Sequence, residues 1–225
     1  MKTNFFPSKN NRKIKDREKI LENLNFNKIK KNKLRSYLKY NKSYFDDKTL
    51  GIGYGGYKND GRFKNTAKKF IKFFKLKKNM NVLEIGCAKG YLLDEFSKKK
   101  INSYGVDISN YAISKNRKMR RKFVKVLNVE KGIPYNKSFF DLVISKDTLP
   151  LIKKSKIKGL IKEINRVVKN KENIFLQIQG VSHKKRAYLM NKWDPTHHLC
   201  LTSKEWFRKL KSYGYRGLIE IKYLF

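Results

Sequence analysis

Apolar residues change their rhythm along this chain at about residue 65. Ahead of that point, stretches such as "REKILENLNFNKIKKNKLRSYLKY" scatter apolar residues among Lys and Asn, which fits helical pieces with fraying ends. From "NTAKKFIKFFKL" onward the pattern becomes regular. Phe70, Ile71, Phe73, Phe74 and Leu76 crowd one helical stretch, after which short apolar runs alternate with amphipathic ones. The runs predict strands near 81–86, 103–107, 122–127, 140–146 and 173–179, separated by helices near 90–99, 110–119 and 155–168. A last helix near 203–212 and a last strand near 215–223 complete the series. Alternation of this kind belongs to the α/β class, with a mostly parallel central sheet and helices on both faces.

Three segments follow. Residues 1–48 form a basic, partly helical N-terminal extension, 49–64 a glycine-rich loop, and 65–225 the α/β domain. The loop "GIGYGGYKNDGRF" matches the GxGxxG dinucleotide pattern at Gly51, Gly53 and Gly56, but "YFDDKTL" before it is no buried strand, so the pattern lacks the setting it needs. A structural turn is one reading of this loop. A lid over a neighbouring site is the other, with Tyr54, Tyr57 and Arg62 as candidate contacts to cofactor or substrate.

Composition narrows the classes. The 225 residues are 40% hydrophobic, enough for one core, and contain no apolar run long enough to span a membrane. The start "MKTNFFPSKNNRK" lacks the apolar stretch of a signal peptide, so a cytoplasmic location is expected. Cys87 and Cys200 have neither metal-ligand nor disulfide-framework spacing, and no metal is expected. A net charge of +38 suggests nucleic-acid binding as one reading. The charge runs through the whole chain, however, and Lys outnumbers Arg 45 to 11, with 21 Asn, which looks like a coding bias toward A/T-rich codons.

The stretch "NVLEIGCAKGYLL" carries the most chemistry. "VLEIG" reads as a strand and "YLLDEFSKK" as a helix, so "GCAKG" is the first strand-to-helix turn, where sheets of this kind bind ligands. Gly86, Ala88 and Gly90 fall at every second position, and Glu84 stands two residues before the first glycine. Dinucleotide sites space their glycines differently, which disfavours a dehydrogenase. The arrangement resembles motif I of the class I S-adenosylmethionine-dependent methyltransferases, small-molecule type. "GVDIS", "LNVEKGIPYNKSFFDLVISKDTL", "RVVKNKENIFLQIQG" and "DPTHHLCLTSKEWFRKLKSYGY" follow in that family's order, and together they cover residues 65–225.

That resemblance implies a Rossmann-like class I methyltransferase fold and S-adenosyl-L-methionine as cofactor. By position it implies that Glu84, Gly86, Ala88, Gly90, Asp107, Ile108, Asn128, Val129 and Lys146 surround the cofactor, with Asp107 on the ribose and Asn128 on the adenine edge. Two departures stand out: Ala88 replaces a glycine, and Asn128 stands where many members have Asp. The family sheet usually ends in a hairpin, so here one strand is absent or supplied by residues 197–202. Each residue also has a plainer reading. Asp107 reads secondarily as a helix cap, Glu84 as a supporting group, and Lys146 with Asp147 as a surface charge pair.

A sulfonium-bound methyl group is intrinsically electrophilic, so proximity and exclusion of water dominate such chemistry. A hydroxyl or amine acceptor also needs a base, for which His198, His197 and Asp147 are candidates in that order, although a lone His is commonly structural. The expected partner is a small, anionic acceptor of the sugar or lipid precursor type. Two alternatives remain open: RNA methylation with residues 1–48 as a binding arm, and a non-catalytic module that keeps the fold.

Overall fold

The computed structural model describes residues 4–6, 14–50, 52–115 and 123–225. Gly51, residues 116–119 of the expected helix and Lys122 of the expected third strand lie outside the described residues.

The N-terminal segment contains α1 (Ile14–Glu22), α2 (Lys31–Leu38) and α3 (Lys42–Phe45). Next come α4 (Arg62–Phe73), β1 (Asn81–Ile85), α5 (Tyr91–Ser97), β2 (Asn102–Asp107), α6 (Asn110–Ser114) and β3 (Val124–Val126). The chain continues through β4 (Leu142–Lys146), α7 (Ile157–Val167), β5 (Ile174–Gly180), α8 (Ala187–Trp193), α9 (Ser203–Ser212) and β6 (Leu218–Tyr223). Sheet order is β3-β2-β1-β4-β5-β6, and every neighbouring pair is parallel. No terminal hairpin exists among the described residues. Residues 197–202 add no strand; Thr202 makes a single bridge to Val181 and is already committed to a capping box with Glu205 at the start of α9. The chain therefore returns from β5 through α8 and α9 to lie parallel beside it.

Strand alternation divides the core. Leu83, Ile85, Val143, Ile174, Leu176 and Ile178 face α7 and α9, where Ile161, Ile164, Trp206 and Leu210 close the layer. Val82, Leu142, Ile144 and Phe175 face α4 and α5, against Phe70, Leu92 and Phe96. Burying a side chain of this size contributes roughly 1.5–3 kcal/mol, so these two layers dominate stability. On the second face the alternation turns polar toward the C-terminal ends of the strands, where Glu84, Lys146, Gln177, Glu220 and Lys222 follow the apolar residues.

The N-terminal segment packs into the domain. Leu21 inserts among Val181, Met190, Trp193, Leu224 and Phe225. Tyr37, Tyr44 and Phe45 pack with Ile52, Ala88 and Ala112. No helix among the described residues is long and apolar enough to cross a membrane.

Candidate active site

The turn after β1 is shaped by three residues in the left-handed region, Gly86 (φ 73°), Ala88 (φ 48°) and Gly90 (φ 69°). Gly90 caps α5 and donates its N–H to the Cys87 carbonyl at 2.8 Å, so it shapes the turn from behind. The residue between them is tied elsewhere. Lys89 Nζ donates to both Asp46 carboxylate oxygens (2.6 and 2.8 Å) and to the Tyr57 carbonyl (2.8 Å), and the Tyr111 hydroxyl joins Asp46 at 2.7 Å. Burial would raise the Asp46 pKa, but Lys89 and Tyr111 outweigh it and hold the carboxyl below its usual value. Lys89 thus clamps the N-terminal segment and the glycine-rich loop onto the first turn of the sheet.

Asp107 closes β2 and is 9% exposed. Its carboxylate accepts N–H bonds from Ala88 and Ser109, both at 2.8 Å, and burial raises its pKa despite them. The capping role falls to Ser109 instead, whose hydroxyl accepts from the Ala112 N–H at 3.0 Å. Asn128 Oδ1 accepts from the Glu130 N–H at 3.0 Å. That leaves its amide NH₂ as a donor.

Two cavities meet here. A smaller one of about 320 Å³ is lined by Asp107, Ile108, Asn128 and Val129 together with Tyr40 and His198. A larger one of about 1260 Å³ is lined by Glu84, Tyr57, Arg62, Trp193 and the polar ends of β5 and β6. Gly86, Ala88, Tyr54, Lys146 and Asp147 line both, at the junction. The glycine-rich loop forms part of the roof. Gly56 and Tyr57 donate their N–H groups to the Phe45 carbonyl at 3.1 and 2.7 Å, and Tyr54 stacks on Phe45 with ring centroids 5.6 Å apart.

The remaining candidates separate clearly. Asp147 is 7% exposed, lies in the left-handed region (φ 57°) and is ion-paired with Lys146. Burial would raise its pKa, yet Lys146 and Lys222 pull it below the usual value. Its Oδ1 has no hydrogen-bond partner. His197 is buried with both ring nitrogens engaged, Nδ1 3.0 Å from the Asp194 carbonyl and Nε2 2.8 Å from Gln179 Oε1. His198 is exposed and borders the smaller cavity. Arg62 lines the larger cavity, but its guanidinium is taken up by Asp60, with Nε 2.8 Å from both carboxylate oxygens. Among the described residues no group of three or more His, Cys, Asp or Glu converges to hold a metal ion.

Residues 60–218 match the family model described as a methyltransferase domain. The chain belongs to that methyltransferase family. No curated protein matches it by sequence. Among solved structures, the chain is similar to a putative methyltransferase from Bacillus halodurans C-125, at 17% identity and TM-score 0.54, over 66% of this chain and 68% of the other. It is also similar to phosphoethanolamine N-methyltransferase 2 of Haemonchus contortus, solved with phosphomonomethylethanolamine and S-adenosylhomocysteine, at 20% identity and TM-score 0.55. That match covers 80% of this chain but 41% of the other. The [4+2]-cyclase SpnF is similar as well, at 17% identity and TM-score 0.53, over 67% of this chain and 57% of that one. At these identities the likeness is one of fold.

Sequence reasoning assigned nine residues to the cofactor; Gly86, Ala88, Asp107, Ile108, Asn128, Val129 and Lys146 line the smaller cavity with the candidate bases Asp147 and His198, whereas Glu84 lines the larger cavity and Gly90 neither. It missed Tyr40, Tyr44, Lys89, Gln177 and Lys222. Lys89 carried a local signal inside the "GCAKG" turn, and Gln177 and Lys222 only the ambiguous polar alternation of their strands.

Proposed function

We propose that this protein transfers a methyl group from S-adenosyl-L-methionine to a small, anionic acceptor of the sugar or lipid precursor type, in the cytoplasm. The observation that carries the reading is the junction of the two cavities at Gly86, Ala88, Tyr54, Lys146 and Asp147. The smaller cavity suits a nucleoside. Each Asp107 oxygen already accepts one N–H and keeps a further lone pair for a ribose hydroxyl. The Asn128 NH₂ suits an acceptor nitrogen on the adenine edge, beside Val129, and Ile108, 47% exposed, offers an apolar surface for the base. Glu84 and Gly86 border the amino-acid end, and Gly90 sets the shape of the turn. The absence of a Cβ at Gly86 lets the Thr148 side chain pack directly against the turn, with its hydroxyl where a Cβ would stand.

When bound, the cofactor supplies an electrophilic methyl group on a sulfonium. The chain's own residues do the rest. Tyr54 and Tyr57 exclude water from the junction, and Lys146 keeps Asp147 ionised. Asp147 Oδ1 takes the proton from an acceptor hydroxyl or amine as that group becomes acidic during methyl transfer. Asp147 therefore ranks ahead of His197, whose nitrogens are engaged, and His198, which borders the nucleoside cavity. Arg62 acts through its hold on Asp60.

Calorimetric titration with S-adenosylhomocysteine tests the reading. Micromolar binding by the wild type, lost in Asp107→Ala, is the expected result. No binding by the folded wild-type protein would remove the proposal.

A further inference from the structure

The floor of the larger cavity is a stretch of sheet that alternation turns polar. Phe175 and Leu218 are paired in register and belong to the apolar layer; farther along the same face, Gln177 pairs with Glu220 and Gln179 with Lys222. A sheet face in this position is normally covered by apolar side chains from a helix. Here the roof is Phe6, Arg17 of α1 and Trp193 of α8.

Most of the charge in this space is already matched. Glu220 accepts from Gln177 Nε2 at 2.5 Å and from the Phe5 N–H at 3.3 Å. Asp194 accepts from the Tyr44 hydroxyl at 3.3 Å and the Thr196 hydroxyl at 2.6 Å. Lys146 is paired with Asp147, and Arg62 with Asp60. Arg17 donates to the Leu224 carbonyl at 2.8 Å and lies over the Trp193 ring, 5.9 Å from its centroid. Lys222 differs. It has no hydrogen-bond or ion-pair partner among the described residues, and it sits in the field of Arg17, Lys146 and Arg62 with Asp147 as the opposing charge. Burial, more than those neighbours, lowers its pKa. Among the oxygens of the same cavity, Gln177 Oε1, on a residue 3% exposed, and Asp147 Oδ1, on a residue 7% exposed, lack hydrogen-bond partners; the Glu84 carboxylate lines the cavity too, at the end next to Gly86.

Unpaired buried groups are costly, and the pattern here has a sign. Lys222 and these two acceptors complement a molecule that carries an oxyanion together with O–H or N–H donors. We infer that Lys222, with Arg17 beside it, binds a phosphate ester or carboxylate of the methyl acceptor, while Gln177 and Asp147 accept hydrogens from its hydroxyl or amino groups. The inference rests on the methyl-transfer reading of this cavity and deepens it: the acceptor is a hydroxylated or amino oxyanion, and the N-terminal helix helps to build its site.

Three probes with related hydroxyl groups test it by calorimetry, with and without S-adenosylhomocysteine: glycerol 3-phosphate, glycerate and glycerol. Binding of either anion, with glycerol inert, is expected, and the stronger anion identifies the oxyanion class. Lys222→Met should weaken that binding by about tenfold or more, the loss expected for one charged hydrogen bond, and Lys222→Arg should largely retain it. Unchanged S-adenosylhomocysteine affinity in Lys222→Met shows that the variant is folded. If neither anion binds, or if Lys222→Met binds as well as the wild type, the inference is overturned. Lys222-dependent anion binding by a wild type that ignores S-adenosylhomocysteine would leave the subsite standing and remove the methyl-transfer reading instead.

Discussion

The hydroxyl of Thr148 occupies the space into which a side chain at position 86 would have to grow. A Cβ built on Gly86 would lie 2.0 Å from Thr148 Oγ1 and 3.1 Å from its Cβ, in a backbone conformation of φ 73°. Thr148 in turn reaches the Ile85 carbonyl at 3.2 Å, so it cannot withdraw without loosening the end of β1. Gly86→Ala should therefore combine left-handed strain of about 1–2 kcal/mol with an overpacking cost of about 1–3 kcal/mol. Chemical denaturation is expected to show a loss of at least about 2 kcal/mol. Adding Thr148→Ala should recover only the steric share, because the backbone strain remains.

Ala88 makes the opposite case. It holds φ 48° with a side chain, and its methyl is 5% exposed in the cluster around Tyr44 and Phe45. Ala88→Gly relieves strain of about 1 kcal/mol but removes a buried methyl worth about 0.8 kcal/mol. These terms nearly cancel, so unfolding free energy should change by less than about 1 kcal/mol. A larger loss in the same denaturation experiment would mean that the methyl, more than the turn, holds the N-terminal segment in place.

The Arg62 guanidinium holds the Asp60 carboxyl down at about 2, against an ordinary value of 3.8. The folded form thus binds this proton more weakly than the unfolded chain does. The resulting stabilisation is present above pH 3.8 and is lost as pH falls toward about 2. Asp107 has the opposite sign: burial raises its pKa, so its ionisation opposes folding as pH rises through its folded value. In Arg62→Met the Asp60 resonance should titrate near its ordinary value by carboxyl NMR, while S-adenosylhomocysteine affinity stays close to wild type. A large loss of that affinity would instead place Arg62 on the cofactor.

The order of strands and the first turn were readable because both depend on neighbours in sequence. "VLEIG" is an apolar run followed by small residues, and Asp107 ends the next such run. Contacts that join distant segments left no comparable trace. Nothing near Lys89 announces Asp46, and the aromatic spacing of Tyr37, Tyr40 and Tyr44 is broken by a left-handed Tyr40 (φ 51°) between α2 and α3. The polar alternation "LQIQG" and "IEIKY" was present throughout, but an edge strand with one solvated face has the same pattern. Only the register of Gln177 with Glu220 and Gln179 with Lys222 turns it into a cavity floor.

The N-terminal segment provides the most direct test of how the chain is organised. A detachable basic arm could be removed without cost to the domain. In this structure Leu21 is 2% exposed beneath Met190, Trp193 and Phe225, and Glu18 pairs with Arg186 at 2.6 Å. Tyr40, Tyr44 and Phe45 also wall the smaller cavity. Deleting residues 1–48 would uncover two apolar clusters and open the smaller cavity on one side. The shortened chain should lose its cooperative thermal transition and aggregate. Because such a chain reports poorly on binding, Leu21→Ala is the sharper variant. It should cost about 2–5 kcal/mol, which for a domain of this size lowers the melting temperature by roughly 4–20 °C. A deletion variant that melts at the wild-type temperature would show that the segment is an appendage, and RNA binding that falls steeply with salt only when residues 1–48 are present would give that appendage its role.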